Sequence, residues 1–442
     1  MKYSEEIKVN ELSIALTASL LEQIVIKFHS GQALLTALYY PSVGKTRFTC
    51  LVHRLINSRE IGKDYNAGPV LIGDKAAIDA FLTNNRHLNT EVSLPVAVMY
   101  LDDPSVLTAD IVSALNETRA VATVRVVGKK LRVHYRDANR AKPEFQEIYK
   151  RTITVWGKEN HDHLARLRVG VIGLGSVGSL VAEALARMGL ERFVLVDFDE
   201  VQIHNLDRLL GASRQDIGIA KVEVAERQIK LAATATRVYV STVIGGVTEK
   251  AGYESALDCD LLFSCVDRPW PRYVLNHLAY NHLIPVVDGG IQVRLAPGSL
   301  AFEGADWQLQ SVGPERPCLE CLGTYQPSHV TMEKDGKLDD PTYLAGLPET
   351  HEFKRNENIF PFSMNLASLE IMQFIEQVTG IAYTDYYGVQ RFSYNEGYIR
   401  VNDTRTCEPS CYFQEGIAQG DAFLPPPIGN DLTAEQARER QN

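Results

Sequence analysis

The glycines at Gly173, Gly175 and Gly178 stand between an apolar run, Val169 to Ile172, and a stretch with apolar residues at Val177, Leu180, Val181, Ala184 and Leu185. That is a strand, a glycine turn and the start of a helix. Such a turn lets backbone N–H groups approach a phosphate closely, at a helix N-terminus whose dipole favours anions. A second β-rich run, Phe193 to Val196, ends on Asp197, placed about twenty residues beyond the glycines to accept a ribose hydroxyl. This much points to a nucleotide without saying which. A dehydrogenase of the NAD type uses the same glycines and carboxylate, and a glycine turn with no ligand is the plainest alternative. The residues that follow shift the balance: Asp199, Asn205, Arg208 and Lys221. Hydride transfer has no general need of them, whereas a reaction at a triphosphate needs fixed cations to meet charge on its oxygens.

The ordered set resembles the adenylation domain of the ThiF/MoeB and ubiquitin-activating enzyme superfamily over roughly residues 151–415. The pattern reads Gly173/Gly175/Gly178, Asp197/Asp199, Asn205-Leu206-Asp207-Arg208, Gly218-Ile219-Ala220-Lys221, then Asp267 with Arg272 in SCVDRPWPR. Ser176 departs from it, standing where many members carry a further glycine. The resemblance implies an ATP-dependent adenylyltransferase that activates the C-terminal carboxylate of a ubiquitin-like protein with a Gly-type tail. Asp267 would place Mg2+, Arg208 and Lys221 would counter triphosphate charge, and a conjugating-enzyme-like protein could receive the product. It also implies a homodimer in which Arg151, upstream of the first Rossmann strand, reaches the partner's nucleotide. Thioester-forming relatives carry a catalytic cysteine in the crossover region, yet here no cysteine lies between Cys321 and Cys407. The adenylate would then pass to another protein's thiol, or to a hydroxyl among Ser328, Thr331, Thr342 and Ser363. The other readings are an NAD-dependent oxidoreductase, a non-catalytic binding subunit, and an enzyme acting on a small-molecule or tRNA-linked acceptor.

Cys318 and Cys321 form one close pair and Cys407 and Cys411 another. Four thiolates so arranged suit a tetrahedral structural Zn2+ site. Reduced, unliganded thiols or a redox pair are the alternatives. Of the remaining cysteines, Cys259 and Cys265 read as small buried hydrophobes rather than nucleophiles, and Cys50 lies in the N-terminal unit.

These residues need a frame. A chain of 442 residues exceeds one typical domain. The pattern predicts an N-terminal α/β unit over 1–150, an adenylation unit over 151–420 and a mobile tail over 421–442. The fold class expected is α/β: a Rossmann-like doubly wound sheet with a smaller N-terminal α/β domain. In the first unit, Leu12 to Phe28 has helical spacing, and Phe48–Ile56, Val96–Tyr100 and Ala120–Val127 read as strands. Its role is open, either a docking module or a degenerate relative of JAB-type metalloproteases; His53, His87 and His134 are too scattered for a zinc pair. His161 and His163 read as solvated. Strands are expected at Thr236–Val243, Asp260–Ser264 and Ile284–Asp288, with a helix from Ser363 to Thr379 stopped by Gly380. A net charge of −10 argues against broad nucleic-acid binding. The absence of a signal-peptide core or a bilayer-length apolar run, with seven cysteines, predicts a cytoplasmic protein with no membrane partner.

Overall fold

The computed structural model describes residues 10–429 apart from 86–91, 93, 102–105, 113–116, 145–146, 297–300, 340–357, 383–387 and 403. Two sheets organise it. The first has strands β1 (Glu11–Thr17), β2 (Leu34–Val43), β3 (Arg47–Ile56), β4 (Gly68–Gly73), β5 (Val96–Tyr100), β6 (Thr108–Val112), β7 (Thr118–Ala120), β8 (Thr123–Val127) and β9 (Leu131–Tyr135). Their order is β7-β6-β5-β4-β2-β3-β1-β8-β9. The second has β10 (Arg168–Ile172), β11 (Arg192–Asp197), β12 (Tyr239–Ile244), β13 (Leu261–Ser264), β14 (Val286–Leu295), β15 (Phe302–Val312), β16 (Val389–Ser393) and β17 (Tyr398–Asn402). Its order is β12-β11-β10-β13-β14-β15-β16-β17, parallel from β12 to β14 and antiparallel from there to β17. The order reverses at β10, with β11 on one side and β13 on the other. That is where an open α/β sheet opens a crevice at its carboxyl ends.

Leu12–Phe28 is not one helix. Residues 11–17 form β1, and the helix runs from Ala18 to His29. Ile14, Ala15 and Leu16 are fully buried with parallel neighbours on both sides, β3 and β8. A strand buried on both faces is continuously apolar and loses its alternation. Thr17 then caps the helix, its hydroxyl accepting from Leu20 N at 3.2 Å. β14 also runs past its expected end, through Gly289 and Gly290 to Leu295, where it pairs with β15. The polar segment before β10 carries two helices, Lys150–Trp156 and Lys158–Arg166. On the second, His161 is buried against the Tyr149 ring (4.2 Å between centroids) rather than solvated. His163 is only partly exposed, and burial pushes its imidazole down to about 4.

The sheets share a core. Ala15, Leu51, Val127, Leu131 and Val133 from the first pack into the same cluster as Leu164, Leu167, Val169 and Phe374 around the second. Beneath β10 and β13 lies a buried charge network. Asp260 meets Arg47 at 2.8 Å and Arg140 at 3.0 Å, and accepts from Arg168 N at 2.8 Å. Glu11 meets Arg47, Arg140 and Arg168 at 2.8, 2.7 and 3.0 Å. The expected tail is docked over its first part. Trp270 Nε1 donates to Pro427 O at 2.8 Å and Gly429 N to Thr248 O at 2.9 Å. Residues 430–442, like His87 and Thr342, lie outside the described residues. Among the described residues no helix is long and apolar enough to cross a membrane.

Candidate functional site

The crevice is built from its glycines upward. Gly173 turns the chain out of β10 at φ +88°, in the left-handed region, and an added Cβ there would lie 2.5 Å from Cys265 O. A Cβ at Gly178 would lie 1.9 Å from Gly173 O, so this glycine lets the 176–187 helix pack on the turn. Gly175, the N-cap, differs: among the described residues a Cβ there meets nothing within 4 Å. Packing does not require glycine at that position. The open space it leaves faces the start of a helix, where a phosphate can approach the backbone. The neighbouring Ser176 hydroxyl is 3.1 Å from Asn358 Nδ2, which also reaches Ser363 Oγ at 2.9 Å.

Asp197 closes the turn from the next strand. Its Oδ2 accepts from Leu174 N at 2.5 Å and its Oδ1 from Asp199 N at 2.8 Å. Burial raises its pKa, and Asp199 adds to the rise; Lys221 and the two N–H groups oppose it. Its first task is therefore to hold the glycine turn against the end of β11. Asp199 is more open and pairs with Lys221 Nζ at 2.6 Å. Lys221 begins the 221–232 helix, and its backbone N–H donates to Asp199 O at 2.9 Å. Gly218 and Ile219 are laced to Val201 by hydrogen bonds of 2.9 and 2.8 Å. The Gly-x-x-Lys segment is thus zipped onto the chain just past Asp199.

Asn205 and Arg208 occupy the intervening loop. Asn205 Oδ1 accepts from Gln202 N at 3.0 Å, and Arg208 donates to His204 O at 2.6 Å and to Asp207 at 2.9 Å. Leu210 N reaches Ser179 Oγ at 3.3 Å, which ties this loop to the first turn of the 176–187 helix. Asp267 is exposed just past the carboxyl end of β13, two residues after Cys265, whose N–H donates to Ile172 O at 2.9 Å. The glycine turn is therefore bonded through Leu174 to Asp197, and Asp197 through Asp199 to Lys221, while Asn205 and Arg208 lie in the loop after β11 and Asp267 just past β13. Arg151 makes none of these contacts; it is exposed on the 150–156 helix.

A group not singled out from the sequence extends the crevice. Asp288, on β14, is fully buried and bonded to Ser264 Oγ at 2.5 Å and Gln310 Nε2 at 2.6 Å, with Arg272 Nε 3.4 Å away. Beside it Glu370, from the 360–379 helix, is fully buried, and among the described residues neither carboxylate oxygen has a hydrogen-bond partner. Burial, reinforced by Asp288 and opposed by Arg272, lifts its pKa well above the usual carboxylate range. The signal available was a glutamate inside an otherwise buried helix face.

The four paired cysteines converge as expected from their spacing. Their sulfurs all lie within 4.8 Å of one another. Cys318 N and Cys321 N aim at the sulfurs of Cys407 and Cys318, at 3.1 and 3.3 Å. The Cys318–Cys411 sulfur separation is 3.7 Å, close to the edge of about 3.8 Å of a tetrahedron with metal–sulfur bonds of about 2.3 Å. The donor set fits a structural metal.

The chain is similar to several known proteins. The ThiF family model matches residues 149–408. Ubiquitin-like modifier-activating enzyme 5 of Xenopus laevis is 30% identical over 203 residues, 43% of this chain and 48% of that protein. SAMP-activating enzyme E1 of Haloferax volcanii is 30% identical over 176 residues, 40% of this chain and 60% of that one. The tRNA threonylcarbamoyladenosine dehydratase of Escherichia coli is 31% identical over 139 residues, 31% and 52% respectively. The chain thus spans about half the length of the curated relatives it matches. Among solved structures, E. coli MccB with ATP superposes with a TM-score of 0.46 at 18% identity, covering 60% of this chain and 74% of that one. With the family model matched over more than half its length, and its glycine turn and Asp–Lys pair assembled at one sheet switch point, this chain belongs to the ThiF family.

Proposed function

We propose that this protein is an ATP-dependent adenylyltransferase that joins AMP to the C-terminal carboxylate of a ubiquitin-like protein. One observation carries the reading: the glycine turn is bonded to Asp197, whose carboxylate feels the charge of Lys221, a cation itself paired with Asp199 at 2.6 Å. The turn's N–H groups and the helix start bind the phosphates. Asp197, with lone pairs remaining beyond its two N–H bonds, and Asp199 meet the ribose. The acceptor carboxylate attacks the α-phosphorus, the bond to the β-phosphate oxygen breaks, and pyrophosphate leaves. No proton need move, so the protein contributes position and charge. Lys221, Arg208 and Asn205 meet the triphosphate, and Asp267 would hold Mg2+, which neutralises charge on its oxygens. The relatives named for ubiquitin-like and SAMP activation support a protein acceptor. A carboxylate on a tRNA is the second reading, favoured by the dehydratase relative but opposed by the net charge of −10. An NAD-dependent dehydrogenase would leave the Lys221–Asp199 pair without a task.

The direct test is exchange of labelled pyrophosphate into ATP, with a ubiquitin-like protein ending in Gly-Gly as acceptor. Acceptor-dependent exchange is expected, and tight NAD binding without ATP binding would overturn the reading. Light scattering at micromolar concentration should show a C2 homodimer, with Arg151→Ala slowing exchange; a fully active monomer would remove Arg151 from the reaction.

No thioester on this chain is expected. Burial raises the thiols of Cys50 and Cys265 far above neutrality and that of Cys259 to about 12. Of the hydroxyls, Ser363 is buried under Asn358, while Ser328 and Thr331 are exposed on the 327–334 helix. Complexes trapped with ATP should therefore yield no reductant-labile adduct. One mapping to Cys265 would refute this. An adduct cleaved only by base and lost in Ser328→Ala or Thr331→Ala would establish an oxyester.

The cysteine cluster is proposed to hold Zn2+ as a structural staple between the β15 exit and the segment after β17. About one zinc per chain is expected at Cys318, Cys321, Cys407 and Cys411. Cys407→Ser should lower the melting temperature more than ATP affinity. Zinc-free protein prepared without chelator would contradict the assignment.

A further inference from the structure

A second cluster of metal-ligating side chains lies apart from the cysteines. His277 belongs to the last turns of the 269–281 helix, His282 caps that helix, and Asp421 comes from the docked C-terminal segment. The histidines are 2% and 0% exposed. Asp421 Oδ1 is 3.1 Å from His282 Nε2, 3.4 Å from His277 Nε2 and 2.7 Å from the Tyr253 hydroxyl, which also stands 2.9 Å from His282 Nε2. We propose that His277, His282 and Asp421 form a second metal site for a transition-metal dication of the zinc class, with the Tyr253 hydroxyl beside its fourth position.

Three features carry this. The carboxylate oxygen and the two imidazole nitrogens all lie within 4.8 Å of one another, and the two nitrogen–oxygen separations suit a coordination sphere. A tetrahedron with metal–nitrogen and metal–oxygen bonds of about 2.0–2.1 Å has edges of about 3.3–3.4 Å, which the two Nε2–Oδ1 distances bracket. Secondly, the polar groups of the cluster converge on a single oxygen: Asp421 Oδ1 accepts from the Tyr253 hydroxyl and faces Nε2 of both histidines. Thirdly, His282 has an outer partner. Its Nδ1 lies 2.8 Å from Ser42 Oγ, buried on β2. A proton on Nδ1 donated to that hydroxyl leaves the Nε2 lone pair facing the cluster, the usual way a ligating histidine is oriented. Bound metal would join three parts of the chain: the 269–281 helix, the segment beginning at Asp421 and, through Ser42, the first sheet. Its role is structural.

The test uses the full chain, stripped of metal, reloaded with Zn2+ alone, desalted and measured for zinc per chain. Asp421→Asn and His277→Gln are each expected to hold about one equivalent less than wild type. Cys407→Ser should retain this equivalent while losing the one at the cysteines. Asp421→Asn is the decisive variant. Its side chain is 37% exposed and keeps an oxygen that accepts from Tyr253 and the histidines, so a merely hydrogen-bonded cluster would survive it with zinc content unchanged. Wild-type zinc content in folded Asp421→Asn, checked by circular dichroism, would overturn the proposal even if His277→Gln failed to fold.

Discussion

Lys221→Ala and Arg208→Ala are each expected to slow ATP–pyrophosphate exchange by about two to four orders of magnitude, as when other contacts to transition-state charge are lost. The loss should fall mainly on kcat, because charge on the leaving pyrophosphate grows as the α-phosphorus bond breaks. The two variants differ in what else they disturb. Among the described residues the Arg208 side chain bonds only to its own loop, to His204 and Asp207, so its removal should leave the melting temperature near that of wild type. Lys221 is nearly buried and neutralises Asp199 at 2.6 Å, so its loss also frees a carboxylate beside the phosphates and adds repulsion. Lys221→Ala should therefore be the more damaging, and Lys221→Ala combined with Asp199→Asn should recover part of the nucleotide affinity but little of the rate. Near-full exchange in both single variants would show that neither side chain meets the triphosphate.

Asp260→Asn is expected to destabilise the protein by about 3–5 kcal/mol, the range for removing one partner from a buried charge cluster. Asp260 is fully buried among Arg47, Arg125 and Arg140, and without its charge Glu11 would be left to neutralise that group. Urea unfolding followed by tryptophan fluorescence measures this directly, and a change below about 1 kcal/mol, as for exposed pairs, would contradict it. The same network sets an acid limit. Burial would raise the pKa of Glu11, but Arg47, Arg140 and Arg168 outweigh it and hold the carboxyl at about 2 rather than 4.5. Asp260 is likewise held far below its usual range, burial being overcome first by Arg47 and then by Arg140. Both are depressed in the folded state. Their contribution is complete above the unfolded pKa and is lost as pH falls through the folded value, for Glu11 between about 4.5 and 2.

The glycine turn and its Asp–Lys pair were legible because their information is local. Glycine spacing, an acidic strand end and Gly-x-x-Lys all lie within about fifty residues, and each strand–turn–helix unit places its own residues. The cysteine cluster was legible for a different reason: two short pairs need only meet once. What escaped was either non-local or hidden by burial. Asp288, Gln310 and Glu370 come from two strands and a helix far apart in sequence, and only the completed sheet brings them together. β1 escaped because a strand buried on both faces has no periodicity to read, although Thr17 offered a helix cap three residues before Leu20. The docking of Asp421 to Gly429 escaped because a proline-rich polar stretch reads as loose until the surface that receives it is known.

The charge network beneath β10 and β13 also has a mechanical consequence. Glu11, Arg47 and Arg140 come from the first sheet and its exit, Arg168 and Asp260 from the second, and they meet without intervening water in contacts of 2.7–3.0 Å. Bending one sheet against the other would pull apart several ion pairs at once in a medium that cannot resolvate them. A hinge there would be stiff. Any movement of the glycine turn and its neighbouring loops would then fall at the opposite pole of the sheet, at the carboxyl ends of β10 to β14, with the N-terminal sheet held fixed.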